Sequence, residues 1–157
     1  MRRTVASDRA MHRLGYQLGR ALRGGEVLEL IGDVGAGKTT LTKGLAEALG
    51  IAEPVQSPTF TISRLYHASS GLTLAHYDFY RLGEAGIMSQ DIAEMIQTPD
   101  SVVVIEWADA VQGVLPADRL IVRITAISET ARQVELTAGG RRAAALLAGL
   151  GNEEAEG

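Results

Sequence analysis

The stretch GDVGAGKTT, Gly32 to Thr40, sets three glycines, one lysine and two threonines within nine residues. Its spacing, Gly-x-x-x-x-Gly-Lys-Thr, gives each residue type a task. Glycines open backbone conformations that aim successive N–H groups inward, and without a Cβ they let a phosphate lie against the main chain. Lys38 supplies a cation to the β and γ oxygens, and the Thr39 hydroxyl is placed for Mg²⁺. The pattern arises by chance in on the order of one chain in a few hundred. A strand before it and a helix after it make coincidence rarer still.

A phosphate-binding loop also needs an acid to complete the metal shell or position water. Glu106 ends the apolar run Val102-Val103-Val104-Ile105. A buried parallel strand there would deliver its carboxylate to the crevice at the strand C-termini, with Thr39 the second protein ligand of the metal. The bland alternative is a glutamate leaving the core for solvent. Asp78, in HYDFY, is a second acid at a strand end, or else a turn aspartate. Thr59, in QSPTF, occupies a proline-stiffened segment where a threonine can sense a γ-phosphate, or can form an ordinary turn. Trp107 follows Glu106 directly; strand alternation would bury it on the opposite sheet face, and the alternative sets it beside the nucleotide. His76 reads as a half-buried strand histidine or as a hydrogen-bond partner near Asp78. It forms no metal-binding spacing with His12 and His67.

These groups need elements to hold them. Ser7–Leu22 opens with an N-cap serine and spaces Met11, Leu14, Leu18 and Leu22 at helical intervals, ending at Gly24-Gly25. EVLELI reads as a short buried strand, and residues 38–49 as a helix closed by Gly50. FTISRLYH and LTLAHYDFY alternate around Ser69-Ser70-Gly71 as a hairpin. Residues 84–96 read as a helix, SVVVIE as a strand buried on both faces, RLIVRIT and RQVELT as a second hairpin, and RRAAALLAGL as a closing helix. No repeat or linker divides the chain. One domain over residues 1–150 is expected, with 151–157 a frayed acidic tail.

Composition narrows the function. The chain has 157 residues, a net charge of −4 and no cysteine, which excludes disulfides, thiolate metal sites and a cysteine nucleophile. No apolar run approaches the ~18 residues of a membrane span, and no apolar segment follows the basic N-terminus, so a cytoplasmic protein is expected. An acidic chain with pI near 5.4 has no global electrostatic reason to bind DNA or RNA alone. After the loop helix no insertion is long enough for a kinase lid, which disfavours a small-molecule kinase. A scaffold that binds nucleotide without hydrolysing it is a third reading. Arg64, Arg81, Arg123 and Arg132 are present, and none is marked by sequence as an arginine finger. A site without that donor hydrolyses slowly.

Taken in order, GDVGAGKTT, SPTFT, HYDFYRL and IEWAD resemble the TsaE (YjeE) family, small bacterial ATPases needed to make threonylcarbamoyl-adenosine in tRNA. The likeness runs from about Leu14 to Leu136. Phe79 stands where leucine is more usual. The resemblance implies a P-loop NTPase-like α/β fold, a three-layer sandwich with a mixed sheet. It implies ATP rather than GTP, with Gly35, Ala36, Gly37, Lys38, Thr39 and Thr40 holding the triphosphate and Mg²⁺ on Thr39 and, directly or through water, Glu106, and it makes Lys38, Asp78 and Glu106 the catalytic set. Thr59 would belong to a segment that reorganises between nucleotide states, and Trp107 would report on the nucleotide. The implied partners are TsaD-type and TsaB-type subunits, with tRNA reached through them.

Overall fold

Ser7 begins the first helix as its side chain dictates: its backbone is extended and its Oγ accepts the Ala10 N–H at 3.1 Å. The computed structural model describes residues 1–58, 62–80 and 87–154. Twelve elements follow one another: β1 (Arg2–Val5), α1 (Asp8–Ala21), β2 (Val27–Ile31), α2 (Lys38–Ala48), β3 (Ser63–His67), β4 (Thr73–Asp78), α3 (Ile87–Gln97), β5 (Ser101–Glu106), a 3-10 helix (Ala108–Val114), β6 (Leu120–Ala126), β7 (Arg132–Ala138) and α4 (Arg141–Glu154).

The seven strands form one sheet in the order β1-β7-β6-β2-β5-β4-β3. Its centre is parallel, β2 lying between β5 and β6 with β4 beyond β5, and antiparallel pairs finish both edges. The sheet is therefore mixed, as expected. β5 is buried throughout, the environment its β-branched run requires. Alternation splits the core. Leu28, Leu30, Leu74, Val102, Val104 and Val122 pack under α1, α2 and α4, while Val27, Ala75, Tyr77, Val103 and Ile105 pack against Ile92 of α3 and Val111 of the 3-10 helix. Three layers result.

The strand Arg2–Val5 has no counterpart in the sequence reading. Its basic, polar RRTV has little apolar signal, and its strand character comes from pairing with β7. Within the expected helix 84–96 the described part is Ile87–Gln97, one residue longer at its end, and residues 84–86 lie outside the described residues. α4 continues through Glu154, so the expected tail is helical at its start; residues 155–157 lie outside the described residues. No helix is long and apolar enough to cross a membrane, among the residues searched.

α1 and α2 touch through glycine. A Cβ on Gly15 would strike the Leu41 carbonyl, and one on Gly44 would strike the His12 carbonyl. The contact brings the loop-bearing helix hard against α1. On an exposed helix, Gly→Ala stabilises by ~1 kcal/mol. Here the sign reverses: Gly15→Ala forces two backbones apart and is expected to destabilise by ~1–3 kcal/mol. Chemical denaturation checks this; an unchanged or raised midpoint would contradict the close packing.

Candidate functional site

The loop between β2 and α2 leaves the C-terminal end of the central parallel strand, the position where open α/β sheets form their binding crevice. Its glycines are used where expected. Gly35 has φ 81° and Gly37 φ 118°, conformations that L side chains rarely adopt. Gly37 occupies the N-cap of α2 and provides no side-chain cap, so the first-turn N–H groups of that helix are available to an anion.

Lys38 is buried, with 6% of its surface exposed. Its Nζ donates to the Gly32 carbonyl at 2.7 Å, lies 3.6 Å from Glu106 Oε1, and sits 4.4 Å from the centre of the Trp107 ring. Glu106 ends β5 and is also buried. Its Oε2 is 2.5 Å from His76 Nε2 on the neighbouring strand. Asp78 stands directly beside Glu106 in the parallel β4–β5 register. The Asp78 Oδ1 accepts the Tyr80 N–H at 2.9 Å, so the aspartate shapes a turn, and its side chain also reaches the cavity.

That cavity, about 440 Å³, is lined by Gly37, Lys38, Thr39, Thr40, Ser57, Asp78, Glu106 and Trp107 among others. A second cavity of about 620 Å³ lies on the other side of the loop, lined by Gly32 to Ala36, Lys38, Trp107, Asp109, Arg123 and Arg132. The two share Val34, Gly35, Lys38 and Trp107. Together they wrap the loop with room on both flanks. The described candidates thus converge, and Thr59 lies outside the described residues.

Trp107 does not continue the strand. It turns into the left-handed region at φ 54° and caps the 3-10 helix. The turn lets its ring line both cavities, 4.7 Å from that of Tyr80, while the half-buried side chain still packs against the core face of Tyr77, Val103 and Ile105 that alternation predicts. His76 is wholly buried rather than half-buried, and its partner is Glu106 rather than Asp78.

Three contributions escaped the sequence reading. Arg132 Nε donates to the Ala36 carbonyl at 3.1 Å, bracing the loop from the β6–β7 hairpin. Glu29 is buried beside the larger cavity and receives Gln112 Nε2 at 2.7 Å and Arg119 Nε at 2.9 Å, tying the 3-10 helix to β2. The His76–Glu106 contact is the third. For Arg132 and Glu29 no local signal exists, since both contacts span more than eighty residues. For His76 the signal was its place two residues before Asp78 on the same strand face.

The donor set has a definite chemical character. A buried ammonium, a helix N-terminus and an arginine-braced glycine loop suit a polyphosphate. The Thr39 hydroxyl and the carboxylates of Asp78 and Glu106 are hard oxygen donors of the kind Mg²⁺ takes alongside phosphate oxygens. Among the described residues no group of three or more His, Cys, Asp or Glu side chains is arranged to hold a metal ion without such help.

Comparison with known proteins agrees with this geometry. The family model described as threonylcarbamoyl adenosine biosynthesis protein TsaE matches residues 5–134. A relative from Streptomyces coelicolor, named tRNA threonylcarbamoyladenosine biosynthesis protein TsaE, is 42% identical over 137 residues, covering 84% of this chain and 93% of the relative. A Bacillus subtilis protein of the same name is 42% identical over 119 residues, covering 75% and 73%. Among solved structures, Bacillus subtilis YdiB superposes with a TM-score of 0.82 at 30% identity, covering 98% of this chain and 95% of that one.

Proposed function

The chain belongs to the TsaE family, and from that premise we propose that it binds Mg-ATP and hydrolyses it slowly, as a nucleotide-driven accessory subunit of the tRNA-modifying machinery. Its place in tRNA threonylcarbamoyladenosine biosynthesis goes with the family. The partners it would act on are a TsaD-type threonylcarbamoyl transferase and a TsaB-type subunit, with tRNA engaged through them.

One observation carries the reading: Lys38 and Glu106, both buried, meet at 3.6 Å on the wall of a cavity that Thr39 and Asp78 also line. Opposite charges taken out of water at a phosphate loop are costly to maintain for stability alone, because desolvation offsets most of their attraction. Thr39 and Glu106 would hold Mg²⁺, which would supply charge neutralisation at the phosphates. The loop amides and Lys38 would bind and orient the phosphates. Glu106 and Asp78 would hold the attacking water and take up its proton. Trp107 and Tyr80 line the smaller cavity with their rings 4.7 Å apart.

Slow intrinsic turnover belongs to the same reading, and of the two arginines that line the larger cavity, Arg123 and Arg132, the second is already committed to the loop. Arg132 spends its Nε on the Ala36 carbonyl, and its Nη1 donates to the carbonyls of Ser128, Glu129 and Ala131. An arginine in such a brace holds the loop rather than a transition state. An arginine finger is worth 10³–10⁵ in rate, and a partner that supplies or orients one would accelerate the chain.

The experiment is an ATPase assay with purified chain alone, with the two partner subunits, and with tRNA added. Turnover alone should be slow and should rise about tenfold or more with the partners, a modest share of the 10³–10⁵ available to an arginine finger. It should not depend on any small acceptor. ADP formation that requires a small acceptor would establish a kinase instead, and unchanged nucleotide after long incubation with the partners would establish a scaffold.

A further inference from the structure

On the sheet face under α1 and α2, β4 presents Leu74, His76 and Asp78, and β5 beside it presents Val102, Val104 and Glu106. Leu74, Val102 and Val104 are core. An aliphatic side chain between them would simply continue the apolar ladder. An imidazole there takes two polar nitrogens out of water, which is unfavourable unless each is bonded. Only one is. His76 Nε2 contacts Glu106 Oε2 at 2.5 Å, while Nδ1 is buried with no partner among the described residues.

Register explains the reach. His76 pairs with Val104 and Asp78 with Glu106, so the imidazole meets the carboxylate on the diagonal, within range of two long side chains. A carboxylate accepts and does not donate, so Nε2 carries a hydrogen toward Oε2, and Nδ1 is left without a partner. Another buried carboxylate near the site, Glu29, makes the contrast. Glu29 has a close donor on each oxygen, Gln112 on Oε1 and Arg119 on Oε2, and is locked for packing. Glu106 has one close donor, His76 on Oε2, and its Oε1 is left toward Lys38 at 3.6 Å.

We propose that His76 is the positioning residue of Glu106: it pins Oε2 from within the core so that Oε1 is presented to Lys38 and the phosphate cavity. The orphaned Nδ1 is the sign that the histidine is retained for this contact and not for the core. A wholly buried ring flanked by packed strands does not swing, so the carboxylate it holds is fixed before any ligand arrives. This rests on the reading that Glu106 serves bound Mg-nucleotide.

The test compares His76→Leu, His76→Gln and His76→Asn. A glutamine amide reaches where Nε2 lies; an asparagine amide falls short of it, near Nδ1. ATP affinity is measured calorimetrically in EDTA, the Mg²⁺ dependence by titration, and turnover by phosphate release. His76→Leu should keep its Mg-free ATP affinity within about threefold, while its Mg²⁺ half-saturation rises and its turnover falls by about 10–100-fold. His76→Gln should return to within a few-fold of the parent chain, and His76→Asn should not. Parent-like Mg²⁺ dependence and turnover in His76→Leu would overturn the proposal. So would a folded His76→Gln no better than His76→Asn, which decides the matter even if the leucine variant fails to fold. Should the parent chain itself bind no ATP, the functional reading fails separately. Crystal structures of the variants then test the positioning, which is overturned if the Glu106 carboxylate keeps its place in His76→Asn.

Discussion

Lys38→Ala is expected to lower ATP affinity by about 10²–10³-fold and to remove measurable hydrolysis. The ammonium is buried, and its contacts are few and specific: the Gly32 carbonyl at 2.7 Å, Glu106 at 3.6 Å and the Trp107 ring at 4.4 Å. Removing one member of a buried charge pair costs about 3–5 kcal/mol, because the partner charge stays behind without compensation. At about 1.4 kcal/mol per tenfold, that is two to three orders of magnitude in affinity for a polyanion. Glu106 also loses its cation, so the variant should melt earlier than the parent chain. Lys38→Arg separates charge from shape. Its forked guanidinium keeps the positive charge but is too broad for a slot bounded by Gly32 and the Trp107 ring, and it should recover little of the binding. Calorimetric titration with ATP and a thermal melt of both variants make the check. Near-parent affinity in a folded Lys38→Ala would remove the loop from the nucleotide site.

The loop was legible because its determinants are local. Positive φ at Gly35 and Gly37, the strand before and the helix after are all fixed within some twenty residues. β5 was legible for a related reason: a run of β-branched residues has few places to go except between two layers. The β3–β4 and β6–β7 hairpins announced themselves through alternation around short polar turns. What stayed hidden depends on elements distant in sequence. β1 is a strand only because β7 pairs with it. Gly15 and Gly44 have no local task that distinguishes them from any helix glycine until the two helices are set side by side. For Trp107 the sequence left the core and the nucleotide side both open, because the left-handed turn at Trp107 that ends the strand and re-aims the ring breaks the alternation. His76 looked like an ordinary strand residue because the register that sets it diagonal to Glu106 is a property of the sheet, not of either strand. Which residues gather at the candidate site was thus readable one residue at a time, and its wiring was not.

Glu106→Gln should separate turnover from binding, and it is the sharpest test of the roles assigned here. The amide oxygen can still accept from Lys38, so the ammonium keeps a partner and the loop keeps its shape. Loss of a negative charge beside the phosphates removes a repulsion, so Mg-free ATP affinity should stay level or improve. Hydrolysis should fall by about 10²–10⁴-fold, the range spanned by losing a positioned proton acceptor. A second consequence comes from the other side of the group. The glutamine NH₂ would meet His76 Nε2–H, donor against donor. Relief by moving the imidazole hydrogen to Nδ1 turns that N–H into surroundings where it finds no acceptor among the described residues. Nδ1 is unpaired in the parent chain too, so what the variant loses is the charge-assisted part of the His76 contact, about 1 kcal/mol, and it should be slightly less stable although it binds well. Single-turnover hydrolysis, ATP titration and denaturation on the same preparation resolve the three effects. If Glu106→Gln instead loses ATP binding in step with Lys38→Ala, the glutamate maintains the shape of the loop and the acid of the reaction must be sought at Asp78. Hydrolysis at the parent rate would show that the carboxylate takes no part in the chemistry, however well it is placed.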